Sequence, residues 1–408
     1  MRILPVILSL TVAIWAALAI ATHNAPSNPV KTDLEVHCRY GLCDDRDMAT
    51  LARMRSFQTD VAQDPAQLRA LLRQAPASPE LWCDFGEALA EQRQNKEAGE
   101  AFRRAISLAP NSPPVLFRAA TANLLAGSAD EALRLFKQIF SIYPEYPAEN
   151  IFSICSRFGV STTQILGAVL AADQPTAAAA YLRFLMRANR ADDASQVWLW
   201  ITAHSLSTQP LVSEYAGFLL NQKSYGPAHE VWSAGRQTSK LNRVFNPSFE
   251  LVTAAPSPPF DWQFDALPNG AGNIAVDREQ HHSGSHSLRI QFAGKLNVTF
   301  GHVSQRLVVA PGRYAFSVWS KTDNLTTDRG IHFAIFDAER PGTPLWTSEP
   351  DLLGSSDWTQ TSASITISSG TPILRIVVAR NPSEKIDSKI GGTAWLDDFE
   401  LRYLTPQL

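Results

Sequence analysis

The chain has 408 residues, 45 % of them hydrophobic, and a formal charge of −3 at pH 7. That length and apolar content suffice for two domains that each bury a core, which excludes a chain too polar to fold. The near-neutral balance, with no stretch that combines dense Lys/Arg with aromatic residues, gives no electrostatic basis for nucleic-acid binding, and no nucleic-acid partner is expected.

The chain begins MRILPVILSLTVAIWAALAIAT, with one Arg ahead of an uncharged apolar stretch from Ile3 to Ala21. Its length approaches the span of a bilayer, while Ala19-Ile20-Ala21 offers a small-x-small cleavage site. Two readings of residues 1–25 therefore stand, an N-terminal membrane anchor and a cleaved signal peptide. Both carry the body across a membrane and predict an extracytoplasmic location, periplasmic or secreted, with the membrane as a partner if the segment is retained. Residues 26–45 read as a linker in which Cys38 and Cys43 could close a small loop in an oxidising compartment. His37, Asp44 and Asp45 flank these cysteines, but no second ligand pair lies at zinc-site spacing. Cys83 and Cys155 have apolar neighbours and are expected as buried thiols.

Residues 46–240 carry a helical repeat. Ala98 and Ala132, Phe102 and Phe136, and Pro110 and Pro144 are each 34 residues apart. The same spacing separates Tyr181 from Tyr215, Leu185 from Leu219, Ala194 from Ala228 and Trp198 from Trp232. That period is one helical hairpin, the unit of a stacked solenoid, and about four to six hairpins are expected. The two sets are out of phase, since Phe136 and Trp198 are 62 apart, so Glu145–Pro175 holds an insertion or a degenerate hairpin. Small residues at Gly86 and Ala98 should let paired helices approach closely, with Trp82 and Phe102 filling the groove to the next hairpin. The unit Pro79–Asn111 resembles the tetratricopeptide (TPR) repeat. The resemblance implies a groove for a protein or peptide, lined by Glu80, Cys83, Glu87 and Ala90, then Pro114, Phe117, Thr121 and Leu124. No cationic clamp for a C-terminal carboxylate stands at those positions.

Helical periodicity stops near Lys240, and residues 241–405 alternate as strands do. Tyr314/Phe316/Val318, Ile331/Phe333/Ile335 and Leu374/Ile376/Val378 read as inward-facing sets, punctuated by turn clusters such as PNGAGN and APGR. About eight to ten strands in such a length predict a β-sandwich. NPSFE at Asn246–Glu250, HSGSHSLRI at His282–Ile290, PGRYAFSVWSK at Pro311–Lys321 and WLDDFEL at Trp395–Leu401 follow in an order that resembles carbohydrate-binding modules of the jelly-roll, galactose-binding-like type. The expected fold is therefore multidomain, an all-α TPR-like solenoid followed by an all-β jelly-roll sandwich.

A sugar site needs exposed aromatic rings flanked by amide, acid or guanidinium groups. Trp319, His332, Phe336 and Arg375 lie opposite the inward-facing sets, and they would form one surface if their strands were neighbours. Trp346, in a Pro/Gly-rich stretch, is a further candidate, while Trp262 and Trp358 are expected as framework or rim. The resemblance also implies a structural calcium held by Glu250, Asp397 and Asp398, with loop carbonyls from Ser283–His286. Asp397 is placed on the face of Trp395, Phe399 and Leu401, buried and in need of a partner. Catalysis is not expected. Asp397 and Asp398 are adjacent on a strand and point to opposite faces, and no nucleophile elbow, Walker loop or HExxH helix is present. These features describe a non-catalytic envelope protein, a scaffold for a protein partner joined to a glycan-binding-like sandwich, in exopolysaccharide assembly or export. The alternatives are a pure protein-assembly factor and an accessory subunit of a carbohydrate-processing enzyme.

Overall fold

The computed structural model describes residues 64–236, 241–251 and 257–405. The expected leader, the Cys38–Cys43 linker and the start of the helical region lie outside the described residues. The chain divides into two compact units at Leu206/Ser207. Among the described residues there are eleven helices followed by two antiparallel sheets, and no helix is long and apolar enough to cross a membrane.

The first unit holds α1 (Pro65–Gln74), α2 (Pro79–Glu91), α3 (Asn95–Leu108), α4 (Pro113–Leu125), α5 (Ala129–Ile142), α6 (Ala148–Arg157), α7 (Thr162–Ala168), α8 (Pro175–Arg187) and α9 (Ala191–Ala203). Proline begins α1, α2, α4 and α8, where its missing N–H costs nothing. The side chains of Asp64 and Ser78 cap α1 and α2, and Ser161 with Gln164 forms a capping box on α7. The helices pack as α2/α3, α4/α5 and α8/α9 pairs. The out-of-phase stretch holds α6, which packs on α8, and the seven-residue α7, which packs on α5 and α9. Ala98, Phe102, Ala132, Phe136, Tyr181, Leu185, Ala194 and Trp198 are all buried, as the 34-residue spacing requires. A Cβ on Gly86 would stand 2.9 Å from the Phe102 ring, so that glycine sets how closely α2 and α3 approach. Two of the expected groove positions are not available to a partner, because Cys83 and Leu124 are buried in helix packing. Burial pushes the Cys83 thiol up to about 12, the value of an inert thiol. Glu87 is also engaged, since Arg118 on α4 reaches back to Asp84 at 2.5 Å and to Glu87 at 2.6 Å.

The second unit opens with a helical hairpin, α10 (Gln209–Asn221) and α11 (Tyr225–Ser233), and continues into the sandwich. The hairpin is packed on the sandwich, not separated from it at Lys240. The Trp232 indole donates to Asp261 at 2.8 Å and stacks edge-on against Phe245. Arg236 pairs with the same carboxylate at 2.7 Å and lies over the Trp232 ring. His229 meets Phe260, and Lys223 and Tyr225 both bind Glu339.

Ten strands form the sandwich: β1 (Gln263–Phe264), β2 (Gly272–Asp277), β3 (Ser287–Ala293), β4 (Phe300–Val308), β5 (Gly312–Leu325), β6 (His332–Asp337), β7 (Pro344–Thr347), β8 (Gly354–Ile367), β9 (Ile373–Arg380) and β10 (Gly391–Thr405). One sheet runs β1-β4-β9-β6-β7 and the other β2-β3-β10-β5-β8. The three inward-facing sets anticipated from alternation are all buried between the sheets, with Trp262, Phe249 and Phe399 beside them.

Candidate binding trough on an outer sheet face

Because side chains alternate along a strand, the residues between the core positions of β4, β9, β6 and β7 project from the outer face of that sheet. Register fixes them in rows. Ser304, Val377, Ala334 and Thr347 lie across the four strands, and the first three are buried despite facing outward. To one side runs Arg306–Arg375–Phe336, opposed residue for residue. To the other, His332 stands opposite Ala379, with His302 on β4 beyond. The low row of Ser304, Val377 and Ala334, between Arg306, Arg375 and Phe336 on one side and the two histidines on the other, makes a trough. Four strands at about 4.8 Å spacing give it a length of roughly 14 Å. Arg306 also lines a cavity of about 570 Å³ with Tyr225, Lys223, Pro259 and Glu339 of the same unit.

His332 is 6 % exposed and its Nδ1 has no hydrogen-bond partner among the described residues. The Asp351 carboxylate is the nearest acid, 3.6 Å away, and is itself held by the Gly330 N–H. Burial keeps the His332 imidazole below its ordinary pKa; Asp351 pulls the other way and Arg329 adds to the lowering. A buried polar atom left unpaired costs about 1–3 kcal/mol, so closing the 3.6 Å gap to Asp351, or a ligand hydroxyl that reaches the imidazole, would be favourable. On the other wall, burial and then the neighbouring Arg375 lower the pKa of Arg306, with Asp265 acting in the opposite sense.

The single surface expected from Trp319, His332, Phe336 and Arg375 does not form. Trp319 is on β5, in the other sheet, and faces away from the trough residues. Alternation placed it correctly on an outer face; strand order, set by pairing across long loops, separated it from the rest. Its indole is stacked on His282, rings 3.8 Å apart and 14° from parallel, beside a cavity of about 450 Å³ lined also by Gln360, Asp398 and Glu400. Trp358 approaches the same histidine edge-on. Trp346 is not a free ring in a loop. It lies on β7 opposite Ile335 and packs inward on Phe316 of the facing sheet. Trp262 is fully buried and donates to the Asn246 carbonyl. Arg306, Ser304 and Ala334 were missed in the sequence. Their parity on β4 and β6 was readable, but no aromatic ring marked them.

The carboxylates expected to hold calcium do converge on the 282–286 loop, which presents donors to them. Glu250 accepts the N–H groups of Ser285 and His286, the Ser285 hydroxyl and the His286 ring nitrogen. The Ser285 N–H, then the His286 ring and Ser285 hydroxyl, hold its carboxyl down at about 2. Asp397 accepts the N–H groups of His282 and Ser283; burial pushes its pKa up against those bonds. Asp398 binds Ser248, Ser283 and His282, whose hydrogen bonds outweigh burial and lower its pKa. Calcium needs oxygen ligands, and here N–H and O–H groups point at the carboxylates. No group of three or more metal-ligating side chains occurs among the described residues. In this arrangement the donor set does not fit a calcium shell. The face assigned to Asp397 also changes. Between Asp397↔Trp319 and Glu400↔Ser317, three steps of β10 oppose two of β5, a bulge with Asp398 at φ +48. Asp397 therefore shares the outer face with Trp395, while Phe399 and Leu401 turn into the core, and the 282–286 loop buries the acid.

No family model matches the chain, and no curated protein matches it. Solved structures that resemble its C-terminal part include TmCBM61 in complex with β-1,4-galactotriose, at 19% identity over 41% of this chain and 100% of that one, TM-score 0.30. A CBM4 structure is similar at 17% identity over 40% of this chain and 99% of that one, TM-score 0.29. The CBM22-1 xylan-binding domain of Paenibacillus barcinonensis Xyn10C is similar at 17% identity over 41% and 99%, TM-score 0.27.

Proposed function

We propose that the second unit binds a polysaccharide chain in the β4-β9-β6-β7 trough, without catalysis, while the TPR-like helical unit holds a protein partner. The observation that carries the reading is the trough itself: a small-residue floor, a phenyl ring at Phe336, guanidinium groups opposite, and a buried imidazole with an unpaired nitrogen. Sugars present apolar C–H faces and many hydroxyls, and this lining offers both kinds of contact. A hydrolase would need two carboxylates flanking one bond. The groups named along the walls are instead cationic, neutral or aromatic, with Asp351 already accepting a backbone N–H. An extracytoplasmic site of action, reached through the N-terminal segment, and a role in exopolysaccharide assembly or export complete the reading.

Affinity electrophoresis of the full chain in gels containing single polysaccharides tests it. Phe336→Ala and His332→Gln should each abolish retardation, and Trp319→Ala should leave it unchanged. Retardation lost in Trp319→Ala and kept in both trough variants would move the site to the opposite sheet and overturn the proposal.

A further inference from the structure

Arg306 and Arg375 stand directly opposite each other on β4 and β9, where facing Cβ atoms are about 5 Å apart. Like charges on facing residues repel, and neither guanidinium has an ion pair or hydrogen bond with a carboxylate among the described residues. Three other arginines of this unit are neutralised, Arg236 by Asp261, Arg340 by Asp337 and Arg289 by Asp277. Asp265 acts on Arg306 through space without a hydrogen bond to it, and of the acids on the cavity wall Glu339 is already held by Lys223 and Tyr225. Phe336, opposite Arg375 on its other side, extends the row with a ring.

Resting on the trough reading above, we infer that the ligand is an anionic glycan, with an oxyanion substituent seated between Arg306 and Arg375 and a sugar face against Phe336. A carboxylate fits best, because each planar guanidinium can give it two parallel N–H bonds. A uronic acid residue is thus the favoured source, and a sulfate ester shares the same charge chemistry.

The test is affinity electrophoresis of the full chain against polygalacturonate, dextran sulfate and neutral galactan, each at low and physiological salt. The inference expects retardation by polygalacturonate that survives physiological salt, and little by galactan. Arg306→Gln and Arg375→Gln should each weaken it about tenfold, as loss of one charge-assisted pair implies. The double variant should melt no lower than the parent, because a repulsion has been removed, and this shows that the fold is intact. Equal retardation by galactan, unaffected by the double substitution but lost in Phe336→Ala, would overturn the anionic ligand and leave the trough standing. Retardation by none of the three would remove both. Dextran sulfate binding as tight as polygalacturonate, and equally dependent on the two arginines, would reassign the oxyanion to a sulfate ester and overturn the uronate. Binding to both polyanions that disappears at physiological salt and ignores the arginine substitutions would mark a nonspecific polyanion effect, against the inference.

Discussion

His332 and His229 show how one buried ring can tie stability to pH. Burial lowers both imidazoles below the ordinary histidine value; Asp351 opposes this at His332 and Glu230 at His229. With the folded pKa below the unfolded one, near 6.5, the unfolded chain takes the proton first. The stability is therefore present above about pH 6.5 and is lost as pH falls through the folded values. Thermal melts of the parent should fall between pH 7.5 and 5.5, and His332→Gln should show a smaller fall. An equal fall in the variant would locate the acid sensitivity elsewhere. Glu250 acts in a second, lower window. Its carboxyl is lowered to about 2, so its contribution holds above about 4.5 and is lost as pH drops toward 2. Since donors already satisfy Glu250, Asp397 and Asp398, added calcium or EGTA should leave the melting temperature unchanged at neutral pH. A calcium-dependent rise of several degrees would show that the 282–286 loop rearranges to offer carbonyls.

At the scale of elements, two contacts are open to substitution. On α2, replacing Gly86 with Val puts branched carbon where a single Cβ already comes within 2.9 Å of the buried Phe102 ring. Helix propensity favours the change by a few tenths of a kcal/mol, but overpacking costs about 1–3 kcal/mol and should win. Denaturant melts should show a net loss of stability, and an increase would mean that α2 and α3 separate without penalty. On β9, Ala379 is half-buried between the histidine positions of the trough. Ala379→Leu should block ligand retention while changing stability by less than about 1 kcal/mol, as read by affinity electrophoresis beside a thermal melt. The elements themselves were legible in the sequence because their signals are local. Proline at helix starts, serine caps and the period-two sets on β5, β6 and β9 each depend on a few neighbouring residues. The bulge at Asp397–Glu400 was not legible. One extra residue in β10 shifts the parity of everything after it, and only the pairing with β5 reveals where that residue sits.

At the scale of the whole chain, the helical and sheet signals change near Lys240, yet the compact second unit begins at Ser207. The hairpin α10–α11 covers Phe245 and Phe260 and supplies Trp232 to the buried Asp261, which Arg236, just past α11, also binds. A fragment starting at Leu241 should therefore melt lower than one starting at Ser207 and bind more of a hydrophobic dye. Equal melting would make the hairpin dispensable. In the full chain, Trp232→Ala should cost about 3–5 kcal/mol, since it opens a cavity and strips a donor from a buried carboxylate.

The amino-acid sequence by itself determined the order of the two architectures, the 34-residue spacing of buried helix positions and the parity of most strand residues. These follow from the fixed periods of helix and strand, which any short segment expresses. Tertiary structure decided which outward residues meet. Strand order put Trp319 on one sheet and Arg306, Arg375, Phe336 and His332 on the other. It also turned loop N–H groups toward the acids expected to bind calcium, and docked the last hairpin on the sandwich. Each of these depends on contacts between residues far apart in the chain, to which local periodicity is blind.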